Sequence, residues 1–191
     1  QLQQGRRILD RYETTLGIRT FRFDIDKGFF LNGKPVKIRG VCNHHDLGSL
    51  GAAVNTRAIE RQLEMLKAMG VNGIRTSHNP PAPELLDLTD KMGFIVMDEA
   101  FDIWKIQKTK YDYHLDWDEW HKRDLEDMVL RDRNHPSIFI WSIGNEVMEQ
   151  WNNNPAGGTI TKELTAIVRN LDKTRPITAA CNSVTEKNAE S

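Results

Sequence analysis

Short apolar runs alternate with amphipathic helical stretches from residue 36 to residue 181, and this alternation constrains the fold more than any other feature. The expected strands are Val36–Val41, Val71–Arg75, Phe94–Met97, Ile138–Trp141 and Ile177–Cys181. Uninterrupted apolar runs of this kind suit parallel strands covered on both faces. Between the first two, Ile59, Leu63, Leu66 and Met69 recur at helical spacing, with Arg57, Glu60, Arg61, Glu64 and Lys67 opposite. Asn55 or Thr56 caps this helix and Gly70 stops it. Pro83 suits the first position of a helix over Glu84–Met92 that Gly93 ends. Leu125, Met128 and Val129 face the core from a helix near Asp118–Arg133. After an expected loop at Asn152–Gly158, Ile160, Leu164, Ile167, Val168 and Leu171 stripe the last helix. Such alternation means a parallel sheet with right-handed crossovers. Strands recur roughly every 25–45 residues, as in a (β/α)8 TIM barrel. A doubly wound sheet would carry a G-x-G-x-x-G loop after the first strand, and none is present. Five strands cannot close an eight-stranded ring. The chain is therefore expected to be the N-terminal part of a TIM barrel, about five β/α units, with roughly three more needed downstream.

Upstream of the barrel, Asn32-Gly33 between two apolar stretches predicts a hairpin over Phe29–Ile38. Residues 1–23 look like a tail. Tyr12–Phe23 alternates at Ile18, Thr20 and Arg22. It is expected to be the last strand of an immunoglobulin-like β-sandwich, because a lone strand cannot bury its face. The predicted organisation is residues 1–23 as the end of that domain and its linker, then 24–191 as the incomplete barrel. Lysine plus arginine number 26 against 27 acidic residues, for a net charge of -1 without a basic stripe, which argues against a nucleic-acid partner. Nothing approaches the roughly 18 apolar residues of a membrane span. Cys42 and Cys181 are too few for a disulfide scaffold or a four-cysteine zinc site.

Four polar clusters share one address. Asn43–Asp46, Ser77–Asn79, Asp98–Glu99 and Asn145–Glu146 each follow a strand, on the rim where barrel active sites are built. His44 and Asp46 share one face if their strand persists. They read either as a hydrogen-bonded rim cluster or as contacts to substrate hydroxyls. Metal ligation lacks an H-x-H pair or a helix-borne H-E-x-x-H. His78 reads as a binding histidine or as part of a capped turn. Arg75 is expected to pair with a carboxylate inside the mouth, and one of Asp98 and Glu99 to face inward onto Arg39 or Arg75. Asp102 and Trp104 are loop residues within possible reach of a ligand. Gly144 is expected to break the fourth strand and present Asn145 and Glu146 beyond it. Glu146 suits general acid work, which needs a pKa raised by burial or a like charge; the bland alternative is a salt bridge to an arginine. Glu149 is expected to be exposed. Most of Trp104, Trp117, Trp120, Trp141 and Trp151 should pack in the core, a minority stacking on sugar rings.

The segments FFLNGKPVKIRGVCNHHD (29–46), VNGIRTSHNPP (71–81), GFIVMDEA (93–100), RDRNHPSIFIWSIGNE (131–146) and TRPIT (174–178) together resemble the catalytic barrel of glycoside hydrolase family 2. That family includes β-galactosidases, β-glucuronidases and β-mannosidases, and the sequence is most similar to bacterial β-galactosidase-type members. The resemblance covers almost all of 18–180. It implies retaining hydrolysis of terminal β-linked sugars, with Glu146 as general acid/base and Asn145 on the hydroxyl beside the reacting carbon. His44, Asp46 and His78 fall on substrate-binding positions. The nucleophilic glutamate follows a later strand in the family, so this stretch alone is expected to be inactive. The implied partner is a carbohydrate, and the full-length protein is open to homo-oligomerisation. Some members bind a divalent metal through an E-x-H pair just after D-E-A. Here that region reads Phe101-Asp102-Ile103-Trp104, so no cofactor is implied. Relatives often carry Glu where His45 stands, which bears on sugar preference. Competing readings are a non-catalytic carbohydrate-binding barrel and a metal-dependent hydrolase using His44, Asp46 and His78.

Overall fold

The computed structural model describes residues 1–150 and 155–182. Two small antiparallel units precede the main sheet. Strands β1 (Leu2–Gln4) and β2 (Arg7–Asp10) pair as an exposed hairpin. Strands β3 (Phe21–Asp24), β4 (Gly28–Leu31) and β5 (Lys34–Pro35) form a three-stranded sheet. Its second turn is the expected Asn32-Gly33, both residues at positive φ, 49° and 76°. Within the stretch Tyr12–Phe23, only Phe21–Phe23 is strand, as part of β3, and β3 pairs with Gly28–Leu31.

The main sheet has five parallel strands in sequential order: β6 (Gly40–His44), β7 (Gly73–Ser77), β8 (Ile95–Glu99), β9 (Ile138–Asn145) and β10 (Ile177–Ala180). Helices α1 (Thr56–Ala68), α2 (Pro83–Met92), α3 (Trp117–Asp132) and α4 (Pro155–Leu171) connect them. This is the (β/α) pattern of a TIM barrel, with five of the eight strands, β6 and β10 outermost, among the described residues. The Asn55 side chain caps α1, Pro83 opens α2, and Gly93 ends α2 in the left-handed conformation. The first core strand starts at Gly40 rather than Val36. The Val36 N–H is committed to Phe29 in the small sheet, so the chain has not yet crossed into the barrel. Helix α4 begins at Pro155, so the expected loop at Asn152–Gly158 is helical over its last four residues. Trp151 lies outside the described residues.

Three apolar clusters hold these layers. Val96, Leu125, Val129, Trp141, Leu164 and Val168 fill the space between the sheet and α3 and α4. Ile59, Leu63, Ile74 and Leu88 join α1 and α2 to β7. Phe29, Ile95 and Phe139 meet where the barrel strands start, with the Phe29 and Phe139 rings 5.3 Å apart. The small β3–β5 sheet therefore plugs the N-terminal end of the barrel, leaving the C-terminal end free for chemistry. No helix among the described residues is long and apolar enough to cross a membrane.

Candidate active site

Strands β7, β8 and β9 run beyond their apolar stretches, and their polar ends bond to one another. Side chains alternate along β8. Ile95, Met97 and Glu99 face the barrel interior, while Val96 and Asp98 face the helices. Glu99 is fully buried. Its carboxylate accepts from Arg75 Nε and Nη2 at 2.9 Å each, from His78 Nδ1 at 2.6 Å and from Ser142 Oγ at 2.5 Å. Two-pronged arginine contacts of this kind fix orientation as well as charge. Burial works against the Arg75 charge, but Glu99 outweighs it and raises the guanidinium above its ordinary value.

Arg75 Nη2 also donates to Asn145 Oδ1 at 2.6 Å. A regular strand would turn Asn145 away from this network, since Ser142 lies three residues earlier. Pairing with β10 steps from Thr178↔Ser142 to Ala180↔Asn145, so β9 carries one extra residue there. The irregularity returns Asn145 to the inner side. Its amide nitrogen donates to Asp102 Oδ1 at 2.8 Å. The strand does not break at Gly144, as expected from the sequence, but continues through it. Glycine is required there because the Trp104 ring packs against the backbone: a Cβ would lie 2.8 Å from Trp104 Nε1.

Glu146 follows directly, exposed and in the left-handed region at φ 48°. Its N–H donates to Ala180 O at 2.7 Å, which ties it to β10. His44 and His78 meet edge to face with ring centroids 5.1 Å apart. His44, His45, Asp46, Ser77, His78 and Asp102 line an open cavity of about 410 Å³ at this end. Strand β6 ends at His44, and Asp46 then caps a turn by accepting from Gly48 N at 2.6 Å. His78 donates from Nδ1, because the Glu99 carboxylate only accepts, and so keeps Nε2 as its free nitrogen. An adjoining crevice of about 500 Å³ passes from His78 and Asp102 beside Phe101 and Tyr113 towards Asp124 and Arg131.

Three sequence expectations are corrected. Trp104 is fully buried, with its indole N–H on Ile143 O at 2.8 Å, and does not reach the mouth. Asp98 is fully buried on the helix side of β8, where burial and then the neighbouring Asp132 push its carboxyl well above the usual range. Glu149 is only 1 % exposed and accepts from Ile106 N at 2.6 Å. Glu99 faces inward as one of the pair was expected to, but it is enclosed and orients Arg75, His78 and Ser142 rather than opening to the cavity. Asp102 proves central. Burial favours its neutral form, yet bonds from Asn145 and Lys108 outweigh that and hold it below the usual carboxylate range. Lys108 was not foreseen at all. It sits in a loop with Lys105 and Lys110 and carries no distinguishing sequence signal.

A divalent metal beside Glu146 does not fit these residues. Asp102 is already bonded to Lys108 and Asn145, while Ile103 and Trp104 belong to the core. Among the described residues no group of three histidine, cysteine or carboxylate side chains is gathered to hold an ion.

The family model for glycosyl hydrolases family 2, TIM barrel domain, matches residues 24–190. The chain belongs to this family. Beta-galactosidase BoGH2A of Bacteroides ovatus is 55% identical over 95% of this chain and 25% of its own length. A beta-glucuronidase of Bacteroides fragilis is 35% identical over 95% of this chain and 26% of its own. The solved structure of a glycosyl hydrolase family 2 member from Bacteroides cellulosilyticus superposes with a TM-score of 0.88 at 47% identity, over 92% of this chain and 22% of that one. The chain thus spans about a quarter of the length of the curated relatives it matches. The family 2 strand ends are where His44, His78, Glu99, Asn145 and Glu146 gather.

Proposed function

We propose that this chain supplies the acid/base half of a retaining β-glycosidase, with Glu146 as general acid/base. Glu146 protonates the glycosidic oxygen as the bond to the sugar breaks, then takes a proton from the water that hydrolyses the glycosyl-enzyme. Asn145 hydrogen-bonds the hydroxyl next to the reacting carbon, and His44, Asp46 and His78 bind the others. The nucleophilic carboxylate comes from outside the described residues and must sit about 5–5.5 Å from Glu146. The observation that carries this reading is the convergence of Arg75, itself held by Glu99, and of Asp102 on Asn145, the residue directly before Glu146. Such bonding fixes a reactive carboxyl on a rigid strand end.

A β-galactoside is the favoured substrate. The relative with 55% identity is named a beta-galactosidase. Asp46 and Asp102 also face the cavity. The Asp102 charge is matched by Lys108, so it is Asp46 that opposes the carboxylate of a uronic sugar, which counts against the beta-glucuronidase reading that the 35% identical relative suggests. The test is Glu146→Gln in the full-length enzyme. On substrates with poor leaving groups, kcat/KM should fall by about 10²–10⁴-fold, with far less loss on activated aryl glycosides that need no proton. Small, equal losses on both would remove Glu146 from this role. Faster turnover of aryl glucuronides than of aryl galactosides would reverse the sugar assignment.

A further inference from the structure

The peptide joining Asn145 to Glu146 is held at both ends. Its N–H belongs to Glu146 and donates to Ala180 O at 2.7 Å. Its carbonyl belongs to Asn145 and accepts from Lys108 Nζ, also at 2.7 Å. Lys108 places its remaining donors on Asp102, at 2.5 Å to the backbone oxygen and 3.0 Å to Oδ1. Asp102 Oδ1 in turn receives the Asn145 amide. Ammonium, carboxylate and amide thus close a small ring around one peptide plane, and all three ammonium protons are used. The lysine is itself positioned, because its backbone N–H donates to Asp112 Oδ2 at 2.8 Å. Just past the clamped plane Glu146 takes φ 48°, a conformation that side-chain-bearing residues seldom adopt. Such a backbone persists where its surroundings over-determine it. The plane's orientation sets the direction in which the Glu146 side chain leaves the strand.

We propose that Lys108 is a positioning residue for the acid/base. It holds the Asn145 carbonyl so that the Glu146 carboxyl points at the glycosidic oxygen. Lys108 transfers no proton: the proton moves from Glu146 to the leaving oxygen as the carbon–oxygen bond breaks. This inference rests on Glu146 being the acid/base. A compact ammonium suits the task, since three donors must converge within one small pocket, whereas a planar guanidinium reaches fewer of the acceptors at once.

The experiment uses the full-length enzyme and a series of aryl β-glycosides from phenyl to dinitrophenyl, with Glu146→Gln, Lys108→Met and Lys108→Arg compared. The value of kcat/KM reports the first bond cleavage, where acid assistance matters most for phenyl. Lys108→Met should lose about 10–100-fold on phenyl and no more than about threefold on dinitrophenyl, in line with misdirection of a catalytic group by a fraction of an ångström. Lys108→Arg should recover part of the phenyl loss. A merely structural lysine would reduce the active fraction and lower both substrates equally. That result, or no loss on phenyl, overturns the proposal. If Lys108→Met fails to fold, the same comparison on Lys108→Arg decides, as equal losses on both substrates would again refute it. Should Glu146→Gln show no leaving-group dependence, the acid/base reading itself fails. A leaving-group dependence in Glu146→Gln but not in the Lys108 variants overturns the lysine alone.

Discussion

Replacing Gly144 by alanine tests whether the core beneath the site dictates where Glu146 sits. The new Cβ would lie 2.8, 3.0 and 3.1 Å from Nε1, Cε2 and Cζ2 of Trp104. Reaching ordinary contact at 3.4 Å demands a retreat of about 0.6 Å. Trp104 is fully buried, beside Trp117 and bonded to Ile143 O, so the ring has little room to yield. Overpacking of this kind costs about 1–3 kcal/mol. Weakening the indole bond adds about 1 kcal/mol, for a total loss of about 2–4 kcal/mol. If the strand moves instead, Asn145 and Glu146 move with it. A shift of this size should lower kcat/KM on a poor leaving group on the order of tenfold. Urea unfolding of the full-length protein gives the first quantity and steady-state kinetics the second. Adding Trp104→Leu removes the ring atoms that clash. The double-mutant cycle should therefore show about 1–2 kcal/mol of favourable coupling. A Gly144→Ala enzyme within about 0.5 kcal/mol of the parent and fully active would refute the reasoning, as would strict additivity.

Two further outcomes follow from the buried charges. Arg75→Met strands the enclosed Glu99 carboxylate and should destabilise the protein by about 3 kcal/mol, the low end of the usual range because His78 and Ser142 still bond it; adding Glu99→Gln should restore much of this in urea unfolding. Asp98 behaves oppositely to most carboxylates. Its folded-state pKa is raised, so the folded protein keeps a proton that the unfolded chain releases, and stability falls as pH climbs from the ordinary aspartate value through the raised one. Asp98→Asn should flatten that decline, gaining most over the parent at the alkaline end of a series of thermal melts.

The alternation of strands and helices, the Asn32-Gly33 turn, the Asn55 cap and the Pro83 and Gly93 boundaries were all legible, because each depends on local geometry or on a period. The strand ends were not. Thr76, Ser77, Asp98, Glu99, Ser142 and Asn145 continue their strands because they find partners across the sheet, which no apolar count records. The extra residue in β9 reverses the facing of Asn145, and only the pairing with β10 reveals it. Trp104 looked like a loop aromatic free to meet a sugar; its burial follows from the glycine forty residues later that admits it. Glu149 looked solvated, yet it caps the Ile106 amide across the fold. Lys108 acts through a backbone carbonyl, and backbone acceptors leave no trace in a pattern of side chains.

The order of the five parallel strands has a consequence for assembly. The outer sides of β6 and β10 present backbone donors and acceptors with no strand opposite them among the described residues. Such a margin is a template for any extended segment that arrives in register. In a (β/α)8 ring three further strands bridge the two margins. Closing the ring therefore does two things in a single event: it removes the sites of edge-to-edge association, and it sets a wall opposite Glu146.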